Sequence, residues 1–282
     1  MGKARHNSNL PPQWVRDNMV SGEDFELTYD AELKAYKTTP APLNLSPYYD
    51  HPEYWSHQHQ AKGFMAKVYG MVREFNVRRK LRWLKRAAPN AKKLLDYGCG
   101  TGVFLNAAKE SGWHVEGVEP NAKAHNIAIQ NGLKVSLDRK EVSLKPYDAI
   151  CLWHVLEHLE NPVEMKRWFQ EHLSERGVLI IAVPNFKSWD SKHYGAHWAA
   201  YDVPRHLWHF SQESIEAIFG SDFSVLKKHP MWFDAFYVSL LSEQYKGGRS
   251  NWLNALVVGL WSNLMAIFTK EPSSITYVLK KR

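Results

Sequence analysis

Lys93-Leu94-Leu95-Asp96-Tyr97-Gly98-Cys99-Gly100-Thr101-Gly102-Val103-Phe104-Leu105 runs from a short apolar strand, through a turn with three alternating glycines, into a helix. Glycine in such a turn permits positive φ and lets a ligand approach the backbone closely. The helix that follows presents unpaired N–H groups at its start. A dinucleotide-binding loop would read G-x-G-x-x-G, with its third glycine at position 103, which is Val103. Here the spacing is G-x-G-x-G, with the acid Asp96 two residues upstream. A carboxylate there would repel a pyrophosphate and suits a cationic amino-acid ligand. Downstream, Glu119 closes a second strand, where a carboxylate can accept both hydroxyls of a ribose.

Strand and helix alternate on from this point. Val115–Glu119 reads as a strand, and Ala122–Gln130 as a helix stopped by Asn131-Gly132. A weakly marked strand follows near 134–137, then a strand at Tyr147–Trp153, a helix at Pro162–Leu173 and a strand at Val178–Val183. This spacing implies right-handed crossovers and a mostly parallel sheet. A helix over Ser211–Phe219 takes Ser211 as its N-cap. Phe223–His229 and Ser274–Lys280 are two further strands. Between them, 231–272 is too long for a hairpin loop and too aromatic for disorder, so a helical insert or lid is expected. Residues 1–58 read as an irregular extension with at most one hairpin and an aromatic, histidine-rich end. Residues 59–282 read as the α/β domain.

A hydrophobic fraction of 44% and a charged fraction of 23% belong to an ordinary globular chain. The two cysteines, Cys99 and Cys151, have no metal-ligand spacing, so neither a disulfide framework nor a metal site is expected, and a cytoplasmic chain is. The start lacks a signal-peptide pattern. Trp252–Phe268 is apolar but carries Asn254, Ser262 and Asn263. It reads as a packed or partner-facing helix, with a homodimer through it as one arrangement, rather than as a membrane span. Leu253, Leu256, Val257, Leu260 and Trp261 are its expected buried or partner-facing stripe. The net charge of +7 is concentrated between Arg73 and Lys93. Nucleic acid is one partner for such a run, but Val77, Leu81 and Leu84 recur at helical spacing, and a solvated helix face is the reading adopted.

Asp96-Tyr97-Gly98-Cys99-Gly100-Thr101-Gly102 resembles motif I of class I S-adenosylmethionine (SAM)-dependent methyltransferases. Gly117-Val118-Glu119-Pro120 resembles their second-strand acid, and Trp153-His154-Val155-Leu156-Glu157-His158 with Asn161-Pro162 the segment after their fourth strand. Asp202-Val203-Pro204-Arg205-His206-Leu207-Trp208-His209-Phe210-Ser211 is similar to a bacterial subgroup whose members often carry an N-terminal Cys-x-x-Cys zinc ribbon. With no cysteine before Cys99, a ribbon here would be degenerate and metal-free. The resemblance implies a Rossmann-like, seven-stranded, mostly parallel sheet with an antiparallel C-terminal edge, and SAM as cofactor. It implies that Asp96, Gly98, Cys99, Gly100 and Gly102 cradle the methionine part. Glu119 and Pro120 would lie at the ribose, Asp138 or Leu137 near the adenine, and Trp153 and His154 at the end of the fourth strand beside the cofactor.

Methyl transfer from a sulfonium is an in-line displacement that needs a base only when the acceptor carries a proton. His154, His158 and His206 are the candidate bases, because they follow strands four and five where open α/β sheets bind ligands. Arg205, Tyr201, Trp198 and His209 are the candidate acceptor-side residues. An O-methyl acceptor, small or planar and apolar, is the leading expectation. RNA- or protein-directed methylation and non-catalytic SAM binding are the alternatives.

Overall fold

The computed structural model describes residues 10–49, 64–143, 145–248 and 251–282, with the side chains of 64–69 left out; the histidine-rich stretch at 51–57 lies outside the described residues. Strands β1 (Trp14–Arg16), β2 (Asp24–Asp30) and β3 (Ala35–Thr39) come first, then the single turn α1 (Ser46–Tyr49) and the long helix α2 (Phe64–Ala87). Next come β4 (Lys93–Tyr97), α3 (Val103–Glu110), β5 (His114–Val118), α4 (Ala122–Gln130), β6 (Val135–Ser136), β7 (Tyr147–Trp153), α5 (Pro162–His172) and β8 (Leu173–Pro184). The chain continues through α6 (Trp189–Tyr194), β9 (Trp208–His209), α7 (Gln212–Phe219), β10 (Phe223–Pro230), α8 (Asp234–Gly247), α9 (Trp252–Thr269) and β11 (Ser274–Lys281).

Seven strands form the central sheet in the order β10-β11-β8-β7-β4-β5-β6. From β8 to β6 every pairing is parallel, while β11 runs antiparallel to both β8 and β10. Leu94, Leu95, Ala149 to Leu152 and Val178 to Val183 are buried on both faces, as strands covered by helices on either side must be. The antiparallel edge follows from register: Ile275, Tyr277 and Leu279 stand opposite Val183, Ile181 and Leu179. Helix starts follow the expected chemistry. Asn121 caps α4, Asn161 caps α5 ahead of Pro162, and Ser211 and Ser214 form a reciprocal capping box on α7.

Two expectations need correcting. The N-terminal residues are not irregular: β1, β2 and β3 form an antiparallel sheet, closed by β9 from far along the chain, with Tyr36 opposite His209 and Lys37 opposite Trp208. Its apolar face, Val15, Phe25 and Leu27, packs on Phe186, Tyr194, Trp198 and Tyr201. The second correction concerns α9. The residues it buries are small: Ala255, Val258, Gly259, Ser262 and Ala266. Gly259 lies so close to Phe236 that a Cβ would sit 2.6 Å from its ring, and Ser262 Oγ donates to Asp190 Oδ1 at 2.7 Å. Leu253, Leu256, Val257, Leu260 and Trp261 are exposed, which rules out the buried form of the expected stripe and leaves its partner-facing form untested. With Trp232, residues Val257, Leu260, Trp261, Leu264 and Ile267 line an open apolar groove of about 620 Å³. By length and composition α9 is apolar enough to cross a membrane.

Candidate functional site

The glycine turn after β4 carries three left-handed residues, Gly98 at φ +73°, Gly100 at +56° and Gly102 at +81°. Only glycine enters this region without steric cost. Each position has different surroundings. A Cβ on Gly98 would lie 2.5 Å from Val155, and one on Gly102 would lie 2.3 Å from Leu133. At Gly100 nothing stands within 4 Å, so the loop presents bare backbone to an open space there. Glu119 fixes the loop: its carboxylate accepts from Gly100 N–H at 2.8 Å and from Asn121 N–H at 2.8 Å. Burial raises its pKa, against the pull of those two N–H groups. Pro120 is exposed beside it, and Cys99 is packed under the loop with its thiol pKa pushed up by burial.

Asp96, at the end of β4, is 2% exposed, and its Oδ1 has no hydrogen-bond partner among the described residues. Burial raises its pKa to about 7; Lys80 opposes the rise and Glu119 adds to it. Lys80 projects from α2 over the ring of Trp153, with Nζ 4.4 Å from the centroid, and burial lowers its pKa. Arg79 lies against Trp83, 4.8 Å from that ring. Part of the basic run therefore turns inward rather than into solvent. A buried carboxylate without a full set of donors, a second carboxylate at the end of the neighbouring strand and an uncovered glycine backbone form a cradle that fits a ligand with an ammonium group and a ribose. Asp138 sits at the other end, exposed, and caps a short turn by accepting from Lys140 N–H at 2.9 Å.

The segment after β7 turns sharply at His154, whose φ is +59°. Its imidazole lies between two carboxylates, with Nε2 3.1 Å from Asp234 Oδ2 and Nδ1 3.4 Å from Glu157 Oε1. Burial alone would lower its pKa; Asp234 and Glu157 overcome that and raise it to about 9. His154 is thus an imidazolium near neutrality and has no lone pair to act as a base. His158 behaves oppositely: burial, helped by His206, lowers its pKa to about 4, so the ring is neutral. Its Nδ1 donates to the Arg205 carbonyl at 3.0 Å and lies 2.9 Å from the Tyr49 hydroxyl. His206 stands edge-on to it, with ring centroids 4.6 Å apart. Glu157, His158 and His206 thereby converge, and Val155 ties them to Gly98 of the loop.

The other acceptor-side candidates lie elsewhere. Arg205 is 1% exposed and saturated by Asp202 Oδ1, 2.7 Å and 3.0 Å from its Nη2 and Nε, and by Asp17 Oδ1 at 3.2 Å. Those carboxylates hold its guanidinium charged despite burial. Trp198 donates from Nε1 to Asp190 at 2.8 Å, and the Tyr201 hydroxyl lies 3.3 Å from Ser191 Oγ. His209 bonds Thr38 Oγ1 at 3.0 Å, and burial lowers its pKa to about 3. All four are committed to the seam between the N-terminal sheet and the α/β body, because β9 closes that sheet. Sequence reasoning missed Lys80, Tyr49 and Asp234. Lys80 was hidden within a basic run, and Asp234 opens a helix whose placement opposite β7 leaves no local signal.

Comparison with known proteins agrees with this architecture. Ubiquinone biosynthesis O-methyltransferase of Haemophilus ducreyi is 29% identical over 108 residues, covering 33% of this chain and 46% of that protein. The Histophilus somni enzyme of the same name is 28% identical over 130 residues, covering 40% and 55%. The chain thus spans about half the length of the curated relatives it matches. In fold it is similar to the plantazolicin methyltransferase BpumL in complex with SAH, at TM-score 0.51 and 16% identity, covering 83% of this chain and 93% of that one. A SAM-dependent methyltransferase from Archaeoglobus fulgidus gives TM-score 0.50 and 17% identity, covering 81% and 98%. The profile of the methyltransferase domain family matches residues 71–225, more than half of the chain, and the chain belongs to that family in its class I, Rossmann-like form.

Proposed function

We propose that this chain is an SAM-dependent O-methyltransferase acting on a small or planar, apolar acceptor. The observation that carries the reading is the cradle at β4: bare backbone at Gly100, with Asp96 and Glu119 on either side of it. In this reading Asp96 accepts the ammonium of the cofactor's methionine part and Glu119 the ribose hydroxyls, using lone pairs left beside its two backbone donors. Asp138 and Leu137 stand at the adenine end. SAM supplies an electrophilic methyl group on a sulfonium. Its S–CH₃ bond breaks as the acceptor's O–CH₃ bond forms, and the acceptor's O–H proton passes to the neutral Nε2 of His158. The sulfur leaves as a neutral thioether. Imidazolium His154 contributes positive potential beside the developing phenolate or alkoxide, and Glu157 and Asp234 hold it there. We also read the cysteine-free N-terminal sheet as standing in the place of the subgroup's ribbon.

The test is calorimetric titration of the chain with SAM, followed by turnover on a panel of phenols and catechols. The reading stands if SAM binds to wild type, Gly100→Val removes that binding with the fold intact, and a hydroxyl acceptor is methylated. Undiminished SAM affinity in Gly100→Val would show that the ligand lies elsewhere.

A further inference from the structure

We propose that Glu157, His158 and His206 form a binding site for a divalent transition cation of the zinc type. The proposal deepens the acceptor-site reading and rests on it for what the cation does, though not for whether it binds. Both imidazoles are oriented by backbone carbonyls: His158 Nδ1 is 3.0 Å from Arg205 O, and His206 Nδ1 is 2.9 Å from Ala200 O. A carbonyl only accepts, so each Nδ1 carries its hydrogen, and Nε2 is the nitrogen each ring has left to ligate a cation. Histidines that ligate metals are held in this way, with the far nitrogen donating to a fixed acceptor and the near one coordinating.

The third donor is Glu157. It is 1% exposed, and among the described residues neither carboxylate oxygen accepts an aligned hydrogen bond. One donor atom from each of the three residues lies within 4.8 Å of the others. Donor atoms this close to a buried carboxylate without an aligned hydrogen bond favour a positive charge among them. His154 approaches Glu157 at 3.4 Å, while Asp202 Oδ2, 3.9 Å from His206 Nε2, adds more negative potential.

Two nitrogens and one carboxylate suit Zn²⁺ or a similar ion, whereas Mg²⁺ favours oxygen donors. Bonds of about 2 Å place tetrahedral ligands roughly 3.3 Å apart, so the donors must draw together, which the half-buried ring of His158 allows. Three protein ligands leave a position for an oxygen of the acceptor. A hydroxyl entering it would lose its proton to water more readily, so the loaded site deprotonates the acceptor this way and the cation-free site through His158 Nε2. Cysteine spacing could not reveal such a site, since its donors come from the segment after β7 and the loop before β9.

The experiment titrates the whole chain, stripped with a chelator, with Co²⁺ alone, following visible absorption and melting temperature. One equivalent should bind, be displaced by Zn²⁺ and raise the melting temperature. His158→Asn and His206→Asn place an amide nitrogen near the Nδ1 position but delete Nε2. Each should weaken Co²⁺ binding at least tenfold while melting near wild type without metal. If either melts early, Glu157→Gln supplies the same reading with the carboxylate's shape preserved. Failure of the wild type to take up Co²⁺, or wild-type binding in all the variants, overturns the proposal. Because neither SAM nor acceptor is present, loss of the cation site leaves the methyl-transfer reading standing, and absence of SAM binding leaves the cation site standing.

Discussion

Asp96 shows how a single buried carboxylate makes ligand binding depend on pH. Its pKa is raised from 3.8 to about 7, chiefly by burial. Without ligand, the folded chain keeps this proton over the window from about 4 to about 7, where the unfolded chain has lost it, so this group makes stability fall as pH rises through that window. An ammonium ligand needs the ionised form, so SAM affinity should rise about tenfold between pH 6 and pH 8, with proton release on binding. Calorimetry in buffers of different ionisation enthalpy measures both effects, and Asp96→Asn should bind weakly with a flat profile. Gly98 and Gly100 separate packing from binding. Gly98→Ala meets Val155 and a left-handed backbone, and should cost about 1–3 kcal/mol of stability in chemical denaturation. Glu119→Gln should instead weaken SAM binding by about 1–3 kcal/mol through loss of a charge-assisted bond. Motif I was legible in the sequence because its glycines and acids are local. The split between His154 and His158 was not, since it depends on Asp234 and Arg205, which arrive from distant elements.

Among elements, the βα alternation from β4 to β8 and the strands β10 and β11 could be read from periodicity, because each strand's apolar pattern is set by the faces it buries; the antiparallel pairing of the last two followed from the family resemblance. The N-terminal sheet could not. Phe25, Leu27 and Tyr29 do alternate with Asp24, Glu26 and Thr28, but the first strand has only three residues and the closing strand, from far along the chain, only two. Beside its apolar face, a buried ion cluster holds that sheet. Arg205→Leu would leave Asp17 and Asp202 without their shared cation, and should destabilise the chain by about 3–5 kcal/mol. A melting temperature within a degree of wild type would contradict that assignment. The insert is likewise anchored, by Ser262 to Asp190, Ser242 Oγ to Ala199 N–H, and Asp234 to His154.

For the whole molecule, α9 inverts the usual rule by burying small residues and exposing large ones. Val258→Asp, at a position 4% exposed, should cost several kcal/mol, on the order of a buried unpaired charge. Leu260→Glu, at 56% exposure, should change stability by about 0.5 kcal/mol or less and improve solubility. Paired melting curves decide whether the inversion is real. The N-terminal sheet has a different reach. Thr38 donates from Oγ1 to the His206 carbonyl at 2.6 Å and from its backbone N–H to the Leu207 carbonyl, and Tyr49 stands on His158. On the proposed reading of the acceptor site, residues 10–49 form a wall of it rather than an appendage. In a chimera that grafts them onto a related α/β domain, acceptor preference should travel with the graft while cofactor affinity stays with the host.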